Sequence, residues 1–321
     1  MARSYTPDVH GHSPAPPTGA VVIEGLVKRY GQRTAVDGLS LTIPAGTVTA
    51  LLGPNGAGKT TTLECCEGFR TPDEGTVRVL GLDPRRDHRA LAARCGVALQ
   101  SGGAWSGVRA GELLEYVARL YAHPLPVPAL MTRLGLDGTG RTPFRRLSGG
   151  QQQRLGVATA IVGRPEVVFL DEPTAGLDPA ARHVVWDLVR ELRGAGVTVV
   201  LCTHLMEEAE KLADLVVVVD AGRVVVADTP QRLTGAGAED SVRFSGPPGL
   251  PTTDLVDALP VRTTVSESSP GAYVVRTPVT PDVLATLAAW CAAHRVLARD
   301  LSVGRGSLED VFLELTGRRI R

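Results

Sequence analysis

The stretch Gly53-Pro54-Asn55-Gly56-Ala57-Gly58-Lys59-Thr60 lies between the apolar run of residues 47–52 and a segment with helical character. It has the spacing G-x-x-x-x-G-K-[ST], in which glycines let backbone N–H groups converge on an anion. The N-terminus of the following helix adds a favourable dipole, the lysine reaches the β- and γ-phosphates, and the threonine hydroxyl holds Mg²⁺. The pattern therefore predicts a strand, a phosphate-binding turn and a helix.

Lysine is rare in this chain, which has only Lys28, Lys59 and Lys211 among its 34 basic residues. The alternative interpretation of the stretch is a plain glycine turn between a strand and a helix. A lysine at the one position where the motif needs it, with a strand before and a helix after, favours the phosphate site.

Composition limits the classes of protein to consider. The 321 residues suffice for one large domain and a smaller one. The formal net charge of zero argues against a strongly basic nucleic-acid surface, so no nucleic-acid partner is predicted. No apolar run approaches the roughly 20 residues of a membrane-spanning helix, and no signal peptide is recognisable, which favours a cytoplasmic protein. The five scattered cysteines are expected to be buried thiols.

Three strongly apolar segments have the composition of strands buried on both faces of a parallel sheet. They are residues 47–52, 166–170 and 197–202. Chemically capable residues follow these strands: Asp171 and Glu172 after the second, Thr203 and His204 after the third, and Gln100 after a shorter apolar segment at 96–99. Because ligands of open α/β sheets bind at the carboxyl ends of the strands, these residues are predicted to face one nucleotide.

Asp171 and Glu172 follow their strand in the Walker B arrangement. The first carboxylate is predicted to hold Mg²⁺, directly or through water. The second is predicted to orient and deprotonate an attacking water. A purely structural role is disfavoured, because a buried carboxylate pair without a cation would be costly.

A second glycine-containing helix start occurs at Ser148, which precedes two glycines and Gln151. One interpretation is an ordinary helix with a serine N-cap. The other is a second anion site formed by the hydroxyl and the exposed N–H groups of the same helix end. Spacing alone leaves both interpretations open.

Over residues 20–229 the chain resembles the nucleotide-binding domain of ATP-binding cassette (ABC) transporters. The motifs that carry the resemblance are Tyr30, residues 53–60, Gln100, the Ser148 to Gln151 segment, Leu170-Asp171-Glu172-Pro173, Gly176-Leu177-Asp178 and His204. The resemblance implies an α/β P-loop NTPase fold with an amino-terminal antiparallel β subdomain and a helical subdomain at about residues 101–163.

The resemblance also implies roles for these residues. Tyr30 would stack on adenine, His204 would contact the γ-phosphate, and Asp178 would bridge two subunits. Gln100 would touch the Mg²⁺ and water region and report to a membrane partner. The implied nucleotide-binding set is Tyr30, Gly53, Pro54, Asn55, Gly56, Ala57, Gly58, Lys59, Thr60, Thr61, Ser148, Gly149, Gly150, Gln151 and Asp178. The implied metal set is Thr60, Gln100 and Asp171, and the implied catalytic set is Glu172, His204 and Gln100.

The remaining segments are assigned from pattern and composition. Residues 1–19 are predicted to be a flexible tail. Within the helical subdomain, Leu113, Leu114, Val117 and Leu120 follow an i, i+3, i+4 pattern that predicts a buried helix face. Residues 230–321 are predicted to form a small carboxyl-terminal α/β domain. Its predicted elements are strands at 241–245, 261–265, 272–276 and 295–301, and helices near residue 254, at 281–293 and at 308–316.

The ending at residues 307–317 resembles the tail of drug-resistance and ABC-2 type exporter ATPases. This resemblance implies an ATPase at the inner face of the cell membrane, paired with a copy of itself or a paralogue and working with a separate integral-membrane permease. Drug or antibiotic export is the first expectation for its substrate, and a lipid or polysaccharide is the alternative. Two other functions fit the sequence less well: a soluble ABC ATPase, disfavoured by the single cassette, and a non-catalytic regulator, disfavoured by the presence of Glu172 and His204.

Overall fold

The computed structural model of the chain describes residues 19–98, 105–235, 241–260, 263–304, 308–309 and 311–312. The predicted amino-terminal tail, Gln100 and most of the predicted last helix lie outside these residues. Within the described part of the chain, no helix is both long enough and apolar enough to cross a membrane.

The described residues form thirteen strands and ten α-helices, with a short 3-10 helix at Phe144–Arg146. The strands are β1 (Val21–Tyr30), β2 (Arg33–Ile43), β3 (Val48–Leu52), β4 (Glu74–Val79), β5 (Cys95–Ala98), β6 (Val167–Asp171), β7 (Thr198–Thr203), β8 (Leu215–Asp220), β9 (Arg223–Asp228), β10 (Ser241–Ser245), β11 (Thr264–Ser269), β12 (Ala272–Arg276) and β13 (Arg299–Gly304). The helices are α1 (Lys59–Cys66), α2 (His88–Ala92), α3 (Ala110–Ala118), α4 (Val127–Arg133), α5 (Gly149–Ile161), α6 (Pro179–Gly194), α7 (Met206–Leu212), α8 (Pro230–Gly235), α9 (Thr253–Ala258) and α10 (Pro281–Ala293).

The central sheet has the strand order β5-β6-β7-β3-β8-β9 and is parallel except for its last strand, which pairs antiparallel with β8. Every residue of β3, β6 and β7 is buried, as expected of strands covered on both faces. The predicted α/β fold and the three apolar strands are confirmed. Because β3, β6 and β7 run parallel, their carboxyl ends place the glycine turn, Asp171 and Thr203 at one edge.

An antiparallel sheet of order β2-β1-β4 forms the amino-terminal β subdomain. Strands β1 and β2 are joined by a short hairpin, in which Tyr30 pairs with Arg33. The inward-facing apolar side chains of this sheet pack with α1 and one face of the central sheet in a single core cluster. The hairpin end is thereby held beside the glycine turn.

The helical subdomain consists of α3, α4 and α5, which share a core cluster with one face of the central sheet. Leu113 and Leu114 are buried and Val117 is partly buried, as the apolar pattern predicts. The prediction is wrong for Leu120, whose side chain is 67% exposed. The helix ends at Ala118, and the backbone N–H of Leu120 donates to Val117 in a tighter turn, so the helical spacing no longer applies.

The carboxyl-terminal residues form an antiparallel sheet of order β11-β12-β10-β13, packed with α9 and α10 around a separate core cluster. Strand β13 begins four residues later than predicted from sequence. The chain leaves α10 through a turn in which Arg295 has φ of 53° and the N–H of Val296 donates to Cys291 O at 2.9 Å. This turn occupies the residues where the strand was predicted to start. Strand β11 likewise begins at Thr264.

The carboxyl-terminal part also contacts the ATPase part. Leu233 of α8, Leu308 and Phe312 are buried in the same cluster as Ala50 and Leu52 of the central sheet. The backbone N–H of Leu308 donates to Glu210 at 2.6 Å. The apolar residues after the β-sheet domain thus return to cover the outer face of β3 and β8.

Candidate functional site

A cavity of about 460 Å³ lies at the carboxyl edge of the central sheet, between the glycine turn and the β1–β2 hairpin. It is lined by Tyr30, Arg33, Ala35, Asn55, Gly56, Gly58, Lys59, Thr60, Thr61 and Glu172. Eight of these residues, all except Arg33 and Ala35, belong to the nucleotide-binding or catalytic set implied by the family resemblance. The motif residues of the first half of the chain are therefore brought together with the end of β6.

The glycine turn has a backbone that other residues would not tolerate. Gly58 has φ of 102°, and a Cβ at this position would lie 2.4 Å from the carbonyl oxygen of Ala35. Helix α1 begins at the next residue, and no side chain caps its first N–H groups. An uncapped helix N-terminus beside a glycine turn is a ready anion site.

Lys59 is buried inside this turn, with 7% of its surface exposed. Its Nζ donates to the carbonyl oxygens of Gly53 at 2.7 Å and Pro54 at 3.1 Å. Within the described residues, no carboxylate forms an ion pair with it. The ammonium charge is therefore held by neutral acceptors and remains available to neutralise an anion in the cavity.

Thr60 and Asp171 meet at the inner end of the cavity. Thr60 Oγ1 donates to Asp171 Oδ2 at 3.0 Å, while the buried Oδ1 of Asp171 has no hydrogen-bond partner among the described residues. Burial raises the pKa of Asp171 and the nearby Glu172 raises it further, against the hydrogen bond from Thr60. An unpartnered carboxylate oxygen beside a hydroxyl matches the oxygen ligands that Mg²⁺ prefers.

Glu172 and His204 form a close pair. Nδ1 of His204 lies 2.6 Å from Oε2 of Glu172, whose side chain is largely buried. An ionised Glu172 can only accept, so Nδ1 then carries the hydrogen. Glu172 has φ of 52°, a strained value for a residue with a Cβ. Three hydrogen bonds hold its backbone: its N–H donates to Cys202 O at 2.9 Å, and its carbonyl accepts from Gln153 Nε2 at 2.8 Å and from Ala175 N at 3.2 Å.

Tyr30 lies at the rim of the cavity and is 41% exposed. Lys28 Nζ and Arg70 Cζ lie 5.7 Å and 5.9 Å from its ring centroid. Sequence reasoning missed its neighbours Arg33 and Ala35, and Arg33 donates to Gly56 O at 3.2 Å. The signal that was available is the tight hairpin, because a two-residue connection places Arg33 directly opposite Tyr30.

The second glycine-containing helix start lies elsewhere. Ser148 Oγ accepts from the N–H of Gln151 at 3.2 Å, and Gln151 Oε1 accepts from the N–H of Ser148 at 2.9 Å, which is a capping box. Ser148 and Gly149 are exposed, and no residue from 148 to 151 lines the cavity described above. Asp178 is exposed too and caps α6 by accepting from Ala181 N at 2.8 Å. We call the Ser148 to Gln151 segment the serine tip.

The site described above does not include two features considered in the sequence, Gln100 and the cysteines. Gln100 lies outside the described residues, so its predicted catalytic and metal-binding roles stay predictions. The five cysteines are free thiols, four of them buried, and the described residues contain no group of three or more His, Cys, Asp or Glu side chains placed to hold one metal ion.

Comparison with known proteins adds sequence relatives across almost the whole chain. A family model described as ABC transporter matches residues 36–175. Nod factor export ATP-binding protein I of Ralstonia nicotianae (strain ATCC BAA-1114 / GMI1000) is 39% identical over 313 residues, covering 95% of this chain and 96% of that protein. Daunorubicin resistance ATP-binding protein DrrA3 of Streptomyces coeruleorubidus is 38% identical over 315 residues, covering 94% and 98%.

Solved structures share the fold of about two thirds of the chain. One is a dimeric structure of a post-hydrolysis state of the ATP-binding cassette MJ0796 bound to ADP and Pi. It superposes with a TM-score of 0.60 at 24% identity and covers 65% of this chain and 98% of that chain. At this identity the likeness concerns the fold.

Proposed function

This chain belongs to the ABC transporter family as an ATP-hydrolysing subunit, and we propose that it drives export of a drug-like or lipid-like molecule through a separate membrane permease. The observation that carries the catalytic part is the convergence of Lys59, Thr60, Asp171, Glu172 and His204 at the carboxyl edge of one parallel sheet. The substrate class rests on the relatives named for daunorubicin resistance and Nod factor export.

In the proposed reaction, the triphosphate lies against the uncapped start of α1 and Lys59. Glu172 orients a water whose oxygen attacks the γ-phosphorus, the bond to the β,γ-bridging oxygen breaks, and the water proton passes to Glu172. His204, paired with Glu172 at 2.6 Å, holds that carboxylate in place and contacts the γ-phosphate from the same side. ADP and phosphate are released.

Mg²⁺ is the metal that we propose for this site. Thr60 Oγ1 and Asp171 would hold it, and the unpartnered Oδ1 of Asp171 supports this assignment. When bound, the ion would neutralise charge on the β- and γ-phosphate oxygens. Gln100 is proposed as a further ligand on the family resemblance alone.

We propose that two copies complete each other's sites. The serine tip is a helix N-terminus exposed to solvent and separate from the phosphate cavity of its own chain. A second copy, arranged head to tail, would lay its serine tip over the bound triphosphate, with Asp178 at the interface. ATP then bridges two helix N-termini at once, and its hydrolysis weakens the bridge. A paralogue with the same motifs could replace the second copy.

The membrane subunit would dock at a groove of about 300 Å³ between the end of α1, α2, β5, α3 and α5. Its apolar lining includes Phe69, Leu91 and Tyr121, and Phe69 is 53% exposed. Leu120, two residues beyond the end of α3, is also exposed. A helix from a membrane protein at the inner face of the cell membrane would cover these side chains.

The experiment is co-expression with a candidate permease, taken first from any membrane protein that a neighbouring reading frame encodes. We expect the two to co-purify in detergent and, in proteoliposomes, to move daunorubicin only when ATP is present. Lys59→Ala is the matched control, because it should assemble normally and fail to transport. If the two proteins do not co-purify, the proposed pairing with this permease is contradicted. ATP-driven movement of a lipid but not of daunorubicin would instead correct the proposed substrate.

A further inference from the structure

Glu208 is a fully buried carboxyl group to which the reaction above gives no role. It lies on α7, four residues after His204, and its exposed fraction is 0%. Its Oε1 accepts two hydrogen bonds, from Thr174 Oγ1 at 2.9 Å and from Trp186 Nε1 at 3.0 Å. Thr174 lies two residues after Glu172, and Trp186 is buried on α6. One oxygen therefore joins three segments around the reaction centre.

This arrangement is costly for folding. Burial raises the pKa of Glu208 above its usual range, against the hydrogen bonds that its carboxyl group accepts, and the charge of Glu172 adds to the rise. Its second oxygen, Oε2, is buried without a hydrogen-bond partner among the described residues. An apolar side chain of similar size would fill the same space without this desolvation, so stability alone does not account for a carboxyl group here.

We propose that Glu208 is a positioning residue that sets the placement of His204 against Glu172. The two catalytic segments, the end of β6 and the turn between β7 and α7, touch directly through the Glu172 and His204 pair. Strand pairing and the Glu172 N–H to Cys202 O bond already hold the two backbones together. The Thr174 to Glu208 hydrogen bond adds a second side-chain link, on α7, so that the placement of His204 on this backbone is set from two points, His204 itself and Glu208.

Trp186 extends this connection to α6, which begins at Asp178. Movement of Asp178 at the proposed dimer interface would therefore reach His204 through α6, Trp186 and Glu208. This inference rests on the proposed roles of Glu172 and His204, and it adds a residue that never touches ATP.

The test compares Glu208→Gln and Glu208→Leu with Glu207→Gln and Glu207→Leu as matched controls. Glu207 is the adjacent residue on α7, exposed and paired with Lys211 at 2.6 Å. Glutamine keeps an oxygen that accepts from Thr174 and Trp186, whereas leucine removes both bonds. For each variant, kcat, KM for ATP and the unfolding temperature are measured on the purified full chain.

We expect E208L to lose about tenfold or more in kcat with KM unchanged, on the usual sensitivity of catalysis to small misplacements. E208Q should retain kcat within about twofold, since neutral amides also accept hydrogen bonds. Both Glu207 variants should match the wild type. A folded E208L with wild-type kcat would overturn the proposal, as would an E208Q that is as impaired as E208L.

Thr174→Val gives a second route if E208L does not fold. It removes the donor from the opposite segment while nearly preserving shape, and we expect the same selective fall in kcat. A T174V protein with wild-type kcat would overturn the positioning role. Failure of the catalytic assignment itself would look different, because Glu172→Gln would then hydrolyse ATP as fast as the wild type.

Discussion

The phosphate cavity and the serine tip are both helix N-termini preceded by glycine or serine, yet their surroundings differ. At the cavity, α1 starts without a side-chain cap and Lys59 is buried beside it. At the serine tip, the first N–H groups of α5 are partly occupied by a capping box, and the segment is open to solvent. The phosphate cavity is enclosed, and given its positive charge, by residues of its own chain. The serine tip would form an enclosed site only if another molecule covered it.

The two sites are nevertheless connected inside one chain. Gln153, on the same helix as the serine tip, donates through Nε2 to the carbonyl oxygen of Glu172 at 2.8 Å. Helix α5 therefore contacts the backbone of the proposed catalytic base. In the proposed dimer, a shift of the serine tip on a partner's ATP would therefore be transmitted through α5 and Gln153 to the backbone of Glu172.

Removing the proposed catalytic base of the phosphate cavity, Glu172, should have the largest effect. We expect Glu172→Gln to lower the rate of ATP hydrolysis by roughly 10² or more, on the usual size of general-base effects, while ATP binding persists. Phosphate release and equilibrium binding of ATP measure the two quantities. Glu191→Gln, at an exposed ion pair with Arg133, is the control. Wild-type turnover in E172Q would remove Glu172 from its role.

Removing the buried ammonium group of Lys59 should weaken ATP binding at the phosphate cavity without affecting the serine tip. We expect Lys59→Ala to reduce ATP affinity by about tenfold to a hundredfold, because a charge-assisted hydrogen bond contributes about 1.5–3 kcal/mol. Isothermal titration with ATP measures the effect. Lys211→Ala is the control, since this exposed lysine pairs with Glu207. Unaltered ATP affinity in K59A would contradict the phosphate cavity.

A charge at the serine tip distinguishes capping from anion binding, the alternatives that the sequence left open. Aspartate caps helices as well as serine does, so Ser148→Asp should leave the unfolding temperature near that of the wild type. Its negative charge should nevertheless repel a partner's triphosphate and lower hydrolysis by about tenfold, with ATP affinity of the isolated chain unchanged. Full activity in S148D would mean that Ser148 is only a cap.

The smallest expected effect concerns Glu67, at the other end of α1. Burial, with a contribution from Asp171, raises the pKa of Glu67 to about 8 from a usual value of 4.5. The folded chain therefore keeps this proton over a pH range in which the unfolded chain has lost it. Its free energy of unfolding should consequently fall as pH rises from about 4.5 to 8.

Glu67→Gln should remove this dependence. We expect the variant to be more stable than the wild type by about 1–3 kcal/mol at pH 8, with the difference vanishing near pH 4. Urea unfolding at several pH values measures it, and Glu74→Gln, at an exposed ion pair with Arg29, is the control. Identical pH dependence in E67Q and the wild type would show that Glu67 ionises normally.

Local sequence pattern predicted the parts of the site that depend on local geometry. Asp171 ends a buried strand, Lys59 and His204 follow two others, and parallel pairing of those strands brings the three residues together. The sequence pattern gave wrong predictions where a turn interrupts the regular spacing of a helix or a strand. Leu120 lies beyond the end of α3, and the turn at Arg295 moves the start of β13 further along the chain.

Other residues were missed because their roles exist only in three dimensions. Arg33, Gln153 and Glu208 lie 23, 19 and 34 positions from Gly56, Glu172 and Thr174, the residues that they contact. No short motif contains both members of such a pair. Their contribution becomes visible only when the β1–β2 hairpin, α5 and α7 are packed against the sheet.

The central claim, that the cavity of one copy and the serine tip of another form one site, is tested most directly by mixing two inactive variants. Lys59→Ala damages the cavity, and Ser148→Arg blocks the tip. In a mixed dimer, the intact cavity of S148R faces the intact tip of K59A. We predict that each variant alone is inactive and that an equimolar mixture recovers up to about a quarter of wild-type ATPase activity, since half of the random pairs hold one good site of two. A mixture no more active than its separate components would contradict the shared site.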